Sequence, residues 1–232
     1  MLAHSRAEQR SLFQDRHDAG KKLAETLLAL KGRDCVVLGI PRGGMPVAAE
    51  VAAALDAPLD MILVRTIGAP KQPSLSIGTV MGGHFPVITP DRNMLAITGT
   101  NYAQFEEACQ HMLSDIGRRW RFYCGERQPE ILFGRTVIVV DDGLANGDTM
   151  RAALRSVRQC EPQLLVMAVP VMPPGTLESF RDDADVIVSV TIPSPFSSVG
   201  DFYSDFEPVT DDEVIQLLDA RSPVSNLSYH RR

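Results

Sequence analysis

Val137 to Met150 read VIVVDDGLANGDTM. The apolar residues Val137 to Val140 run into two adjacent carboxylates, Asp141 and Asp142, and a short loop of small residues then leads to Thr149, which opens a helical stretch. A continuous apolar run is the mark of a strand buried on both faces. Carboxylates at the end of such a strand, just before a glycine-containing turn, stand where open α/β sheets bind ligands, beyond the carboxyl ends of their strands. The segment therefore predicts a strand, a functional loop and a helix, in that order.

The same grammar extends outward. CVVLGI (35–40) is a short apolar run ended by PRGG, which reads as a buried strand and a turn, and MPVAAEVAAALD (45–56) follows as an Ala-rich helix. LDMILVR (59–65), LLVMAVPVMPPG (164–175) and ADVIVSVTIP (184–193) are further strands, with a short helix between the last two. Residues 5–31 carry Leu12, Leu23, Leu27, Leu28 and Leu30 at helical spacing, with Gly32 as a stop. A second long helix over 101–123 sets Phe105, Cys109, Met112, Ile116 and Trp120 along one side, and a last helix covers 211–220. TIGAPKQPSLSIGTVMGGHFPVI (66–88) is rich in Gly, Pro and Ser and predicts a long mobile loop or ribbon. Strands alternating with helices give an α/β fold: a mostly parallel sheet with helices on both faces.

Composition narrows the function classes. The chain has 232 residues, 44% of them hydrophobic, and a net charge of −6, which suits one globular domain or one with a small appendage. The acidic balance argues against general affinity for nucleic acid or anionic membrane. RRWR (118–121) and the terminal HRR are short, and Arg118, Arg119 and Arg121 read as a solvated helix face. Cys35, Cys109, Cys124 and Cys160 are scattered, form no CxxC pair and look like reduced thiols. MLAHSRAEQRS lacks the apolar core of a signal peptide, and no apolar run approaches the ~18 residues of a membrane span. A cytoplasmic protein is expected.

Three phosphate-handling motifs are absent from the opening stretch. GLANGDT and GIPRGGM lack the lysine of GxxxxGK[ST], and GIPRGG has the wrong spacing for GxGxxG. A phospho-acceptor receiver domain would carry its acid pair near its start and a lysine beyond, but Lys71 is the last lysine of the chain. What remains is a loop whose backbone approaches a ligand. Ala145, Asn146, Gly147 and Thr149 are small or short, so successive N–H groups can converge on one anion at a helix N-terminus. Asp141 and Asp142 can accept hydrogen bonds from neighbouring hydroxyls. Together these groups match a ribose 5-phosphate. The plainer reading is that Thr149 caps a helix and the acids solvate a strand end.

VIVVDDGLANGDTM resembles the ribose-phosphate loop of the type I phosphoribosyltransferases, and GIPRGGMPVAAEVA resembles the first loop of that family. The resemblance runs from FQDRHDAGKKLAETL (13–27) through VRTIGAP (64–70) to PFSSVGDFYSDF (195–206) and is strongest to a bacterial group of predicted phosphoribosyltransferases. It implies a single type I phosphoribosyltransferase-like domain over 1–220. A small hood would be formed by parts of the N-terminal region and 193–210, and 221–232 would be a loose tail. It also implies transfer of ribose 5-phosphate from phosphoribosyl pyrophosphate to a nitrogen nucleophile, with Mg²⁺ held through the substrate and by Asp141 and Asp142. Ribose and phosphate would be bound by Asp141, Asp142, Ala145, Asn146, Gly147, Asp148 and Thr149. Pyrophosphate would lie on the backbone of Arg42, Gly43 and Gly44, whose adjacent glycines remove side chains from its path. Arg65 and Lys71 would join the chemistry, with Lys71 on a lid over 66–84, and Phe196, Val199 and Gly200 would meet the acceptor ring. PRGG also reads as a plain turn, Lys71 as a solvated lysine, and the aromatic residues at 202–206 as core. Asp15 and Arg16 read equally well as a structural ion pair. A homodimer stays open.

The sequence departs from the family pattern in several places. Ala145 stands where hypoxanthine-guanine enzymes have an aspartate, Thr66 where relatives have a lysine, Asn146 for a threonine, and Asp148 in the phosphate loop. A carboxylate about 4 Å from the phosphate would be repelled by ~4 kcal/mol at an effective dielectric of about 20, so Asp148 is expected to turn outward. These departures keep two alternatives in view: a ligand-sensing protein that retains the ribose-phosphate pocket without turnover, and a hydrolase with water as acceptor.

Overall fold

In a computed structural model that describes residues 11–82 and 86–220, β1 (Cys35–Gly39), β2 (Leu59–Met61), β6 (Thr136–Val140), β7 (Leu164–Val171) and β8 (Val186–Thr191) form one sheet. Its order is β2-β1-β6-β7-β8, and every pairing is parallel. The apolar runs alternate between two cores. Val37, Ile138, Val140, Val166 and Ala168 face one side, where α1 (Arg16–Leu27) and α2 (Gly44–Leu55) pack. Val36, Leu38, Val137, Val139, Leu165 and Met167 face the other, against Met150, Ala153, Leu154 and Val157 of α5 (Asp148–Arg158). Burial on both faces is why these strands read as unbroken apolar runs rather than alternating ones.

Of the two forms expected for the 66–88 stretch, a mobile loop or a ribbon, the structure has the ribbon. β3 (Val64–Ala69), β4 (Gln72–Met81) and β5 (Val87–Pro90) make a second, antiparallel sheet in the order β3-β4-β5. Ile67, Ile77 and Val80 are buried beside Phe105, Cys109 and Ile116 of α4 (Tyr102–Cys124). Thr79 and Ser156 hydroxyls meet at 3.2 Å inside the protein and tie this sheet to α5. Gly78 serves close packing within the ribbon: a Cβ there would stand 2.8 Å from the Phe105 ring. LDMILVR also splits, since β2 ends at Met61 and β3 begins at Val64 in the other sheet.

Two helix boundaries differ from expectation. The first helix begins at Arg16, capped by the Asp15 carboxylate accepting from Asp18 N, and Leu28–Leu30 form a 3-10 turn. The segment before it joins Phe13 to Tyr203 in a parallel bridge. α3 (Arg92–Thr98), capped by Asp91, was not anticipated. α6 (Thr176–Ser179) and α7 (Asp211–Ala220) complete the described chain. The expected tail at 221–232 lies outside the described residues, as do residues 5–10 of the predicted first helix and residues 83–84 of the proposed lid.

Candidate functional site

The carboxyl ends of β1 and β6 bring the two loops together. Ile40 N donates to Val140 O at 2.9 Å, so the PRGG turn and the acid pair sit side by side. Their glycines are set by this contact. A Cβ on Gly44 would stand 2.7 Å from Val140 O and 2.9 Å from Asp141 Cα, and one on Gly43 would stand 2.8 Å from Asp142 Cγ. The glycines thus make room for the acid loop, where a passage for pyrophosphate had been expected. Gly44 N is also engaged, donating to Ile40 O at 3.0 Å, whereas the Arg42 and Gly43 amides donate to no described residue.

The loop after β6 leaves its donors open. Leu144 N is bonded to Val171 O at 2.9 Å, but among the described residues nothing accepts from the amides of Ala145, Asn146, Gly147, Asp148 or Thr149. They converge on the N-terminus of α5, where unsatisfied N–H groups and the helix dipole favour an anion. Gly147 adopts φ +79, a left-handed conformation that suits glycine. Its absent Cβ would point at Phe180, 2.7 Å from Cζ, and not into the loop's concavity. A side chain there would disturb packing before it reached a bound phosphate. Asp148 is exposed and accepts from Asn146 Nδ2 at 3.0 Å, so that amide is turned toward Asp148.

The acid pair is half-buried and electrostatically tense. Burial, and next the charge of Asp142, push the Asp141 carboxyl well above the usual carboxylate range, against an Oδ1 bond from Asp142 N at 2.9 Å. Burial also raises Asp142, partly offset by Arg16. Arg16 was read as an equal candidate for a local pair with Asp15, but its partner is Asp142: Nε donates to Oδ2 at 2.8 Å, with the two side chains only 11% and 15% exposed. Its Nη1 donates to Glu207 O at 2.7 Å and its guanidinium lies 3.8 Å from the centre of the Phe206 ring. Tyr203 Oη donates to Asp142 O at 2.5 Å. The remaining lone pairs of both carboxylates suit hydroxyls or a hard cation that leans on ligand oxygens for the rest of its shell.

A cavity of about 830 Å³ borders the 40–42 turn and Thr149, though neither Asp141 nor Asp142 lines it. Arg42, Arg65, Arg118, Arg119, Asp115, Asp211 and Thr149 contribute its polar lining, and Ile40, Ile62, Leu63, Val64 and Ile116 contribute apolar wall. Arg42 approaches Asp211 at 3.5 Å, and Asp211 also accepts from Tyr123 Oη at 2.5 Å; burial first, and then that bond, push the phenol up to about 12. Arg118 and Arg119 are exposed, as expected of a solvated face, and that face borders this cavity. The signal was present, because residues 115, 118, 119 and 122 recur at helical spacing beside the buried stripe of α4.

Other expected residues lie apart from the cavity. Lys71 is exposed at the two-residue turn between β3 and β4, and the anchored hairpin does not have the form of the expected lid. Phe196 stacks on Phe202, with ring centres 5.7 Å apart, and Val199 packs against the same cluster. A Cβ on Gly200 would face the Phe206 ring at 3.1 Å. These three form a wall with Phe13, Phe202 and Tyr203, next to Arg16.

Among the described residues no helix is long and apolar enough to cross a membrane. A phosphoribosyl transferase domain model matches residues 11–207. Two Mycobacterium tuberculosis proteins, provisionally named phosphoribosyl transferases, are each 39% identical over 210 residues, covering 90% of this chain and 46% of theirs. The chain thus spans about half the length of these curated relatives. The crystal structure of a Thermus thermophilus protein, TT1426, is similar with a TM-score of 0.80 and 38% identity, covering 91% of this chain and 99% of that one.

Proposed function

The chain belongs to the phosphoribosyl transferase family, and from that premise we propose that it moves ribose 5-phosphate from phosphoribosyl pyrophosphate to a nitrogen nucleophile, a base or similar ring, with release of pyrophosphate. The observation that carries this reading is the run of unengaged amides from Ala145 to Thr149 directly beyond Asp141 and Asp142. A phosphate takes up donors, a diol needs acceptors, and a 5-phosphoribosyl group carries both.

In the reaction, the bond from the anomeric carbon to pyrophosphate breaks as the bond to nitrogen forms. The amides around Gly147 hold the 5-phosphate, and Asp141 and Asp142 accept from the 2- and 3-hydroxyls. The open Arg42 and Gly43 amides face the leaving pyrophosphate. Holding both ends of the donor fixes the carbon between them for attack, so catalysis rests on positioning and on stabilising charge on the leaving group. The adjacent half-buried carboxylates fit Mg²⁺, which binds through one or two carboxylates plus substrate oxygens and would neutralise pyrophosphate charge. On this reading Phe196 and Val199 border the acceptor. Four unpaired cysteines support a reducing, cytoplasmic setting.

The test is calorimetric titration with ribose 5-phosphate and Mg²⁺, followed by incubation with phosphoribosyl pyrophosphate and a panel of nitrogenous bases. Saturable binding that Asp141→Asn with Asp142→Asn abolishes, together with base-dependent pyrophosphate release, is expected. No binding by the wild-type protein overturns the assignment. Binding without turnover on any base makes the protein a ligand sensor instead.

A further inference from the structure

The arginine face of α4 has no role in the family pattern described above. Arg118 and Arg119, with side chains 70% and 53% exposed, line the open rim of the 830 Å³ cavity that Arg42 borders from the turn after β1 and Arg65 from β3. Four guanidinium groups therefore share one void with two carboxylates, Asp115 and Asp211, leaving two positive charges in excess. Asp115 serves both helix arginines, at 2.5 Å from Arg118 and 3.7 Å from Arg119. Arg65 makes no ion pair among the described residues. Such an excess inside an acidic protein is a local feature, and it lies next to the open amides of Arg42 and Gly43. Thr149, from the α5 N-terminus, lines the same void.

We propose that Arg118 and Arg119 make this cavity a diphosphate site, supplying from α4 the positive charge that Thr66 fails to supply from β3. This deepens the phosphoribosyl transfer reading, and it assigns the helix arginines to the leaving group alone. Guanidinium groups suit the task because their planar fork matches phosphoryl oxygens and stays charged. Asp115 keeps the two charges together at the rim, with Arg118 bonded to it and Arg119 within 3.7 Å. The helix also contains its own control. Arg121 carries the same charge two residues further on, is exposed and does not line the cavity.

Calorimetric titration with inorganic pyrophosphate and Mg²⁺, and separately with ribose 5-phosphate, tests the assignment. Arg118→Gln with Arg119→Gln should weaken pyrophosphate binding by roughly tenfold or more, while ribose 5-phosphate affinity and the melting temperature stay near wild type. Arg121→Gln should leave pyrophosphate binding within about twofold, since a rim charge outside the site acts only through screened long-range attraction. Unchanged pyrophosphate affinity in the double variant overturns the proposal, and so does an equal loss in Arg121→Gln, which would reveal a nonspecific charge effect. Wild-type protein that binds ribose 5-phosphate but not pyrophosphate defeats this site and leaves the ribose loop standing. The reverse result defeats the ribose loop and preserves the diphosphate site.

Discussion

Replacing Gly43 with alanine tests whether the two loops depend on each other. Gly43 has φ −60, so alanine meets no backbone strain there and the effect isolates the new methyl group. That methyl would stand 2.8 Å from Asp142 Cγ, whereas ordinary contact begins at 3.4 Å. Oδ2 of the same carboxylate would lie closer still, so the carboxylate must withdraw by more than 0.6 Å, the difference of those two distances, or the turn must retreat by as much. Withdrawal loosens the 2.8 Å bond from Arg16, and retreat moves the open amide of Gly43. A misplacement of roughly 1 Å costs on the order of 100-fold in function, which corresponds to about 2.8 kcal/mol. Overpacking adds a stability loss of about 1–3 kcal/mol, and a domain of this size melts about 2–4 °C lower per kcal/mol. Calorimetry with ribose 5-phosphate and Mg²⁺, alongside thermal melts, reads both quantities. Gly117→Ala is the control: it sits within α4 with nothing within 4 Å of the new atom, and it should gain about 0.5–1 kcal/mol. Wild-type affinity in Gly43→Ala would refute the mutual dependence of the loops.

Arg16→Gln should destabilise the protein by about 3 kcal/mol, because a largely buried carboxylate loses its charged partner; ribose 5-phosphate affinity should fall with it, and Arg16→Lys should recover part of both. Asp141→Asn should melt above wild type at neutral pH while failing to bind ribose 5-phosphate. A carboxyl whose pKa is raised by folding contributes stability in full below its unfolded value, 3.8, and loses it as pH rises through the folded value. The gap between variant and wild type should accordingly be absent below about pH 4 and open toward neutrality, as melts at stepped pH will record. Gly147→Ala should cost roughly 2–5 kcal/mol, combining left-handed strain with crowding of Phe180; Phe180→Leu in the same chain should return the crowding share, as judged by thermal melts.

The parallel sheet was legible because burial on both faces leaves a signature that needs no knowledge of partners. Runs such as Val137–Val140 and Leu165–Val169 are apolar at every position for that reason. The choice between loop and ribbon for the second sheet stayed open because its glycines and prolines, which usually punctuate loops, here permit contact with Phe105 and a two-residue turn at Pro70–Lys71. The acid pair and the small-residue loop announced themselves through composition alone. Arg16 did not, since its partner lies 126 residues away and no local spacing encodes the contact. Arg118 and Arg119 were visible as an exposed stripe, but whether such a stripe also borders a cavity depends on which neighbour packs beside it.

The anchoring of the β3–β4 hairpin has a chemical consequence. With Thr79 bonded to Ser156 and Ile77 and Val80 sealed beneath α4, this arm cannot swing across the reaction centre without breaking core contacts. On the proposed chemistry, solvent at the anomeric carbon is then excluded mainly by the acceptor itself. Wasteful cleavage of the donor by water should run measurably in the absence of a base and fall as the true acceptor saturates its berth, which turns suppression of a leak into a screen for the missing co-substrate.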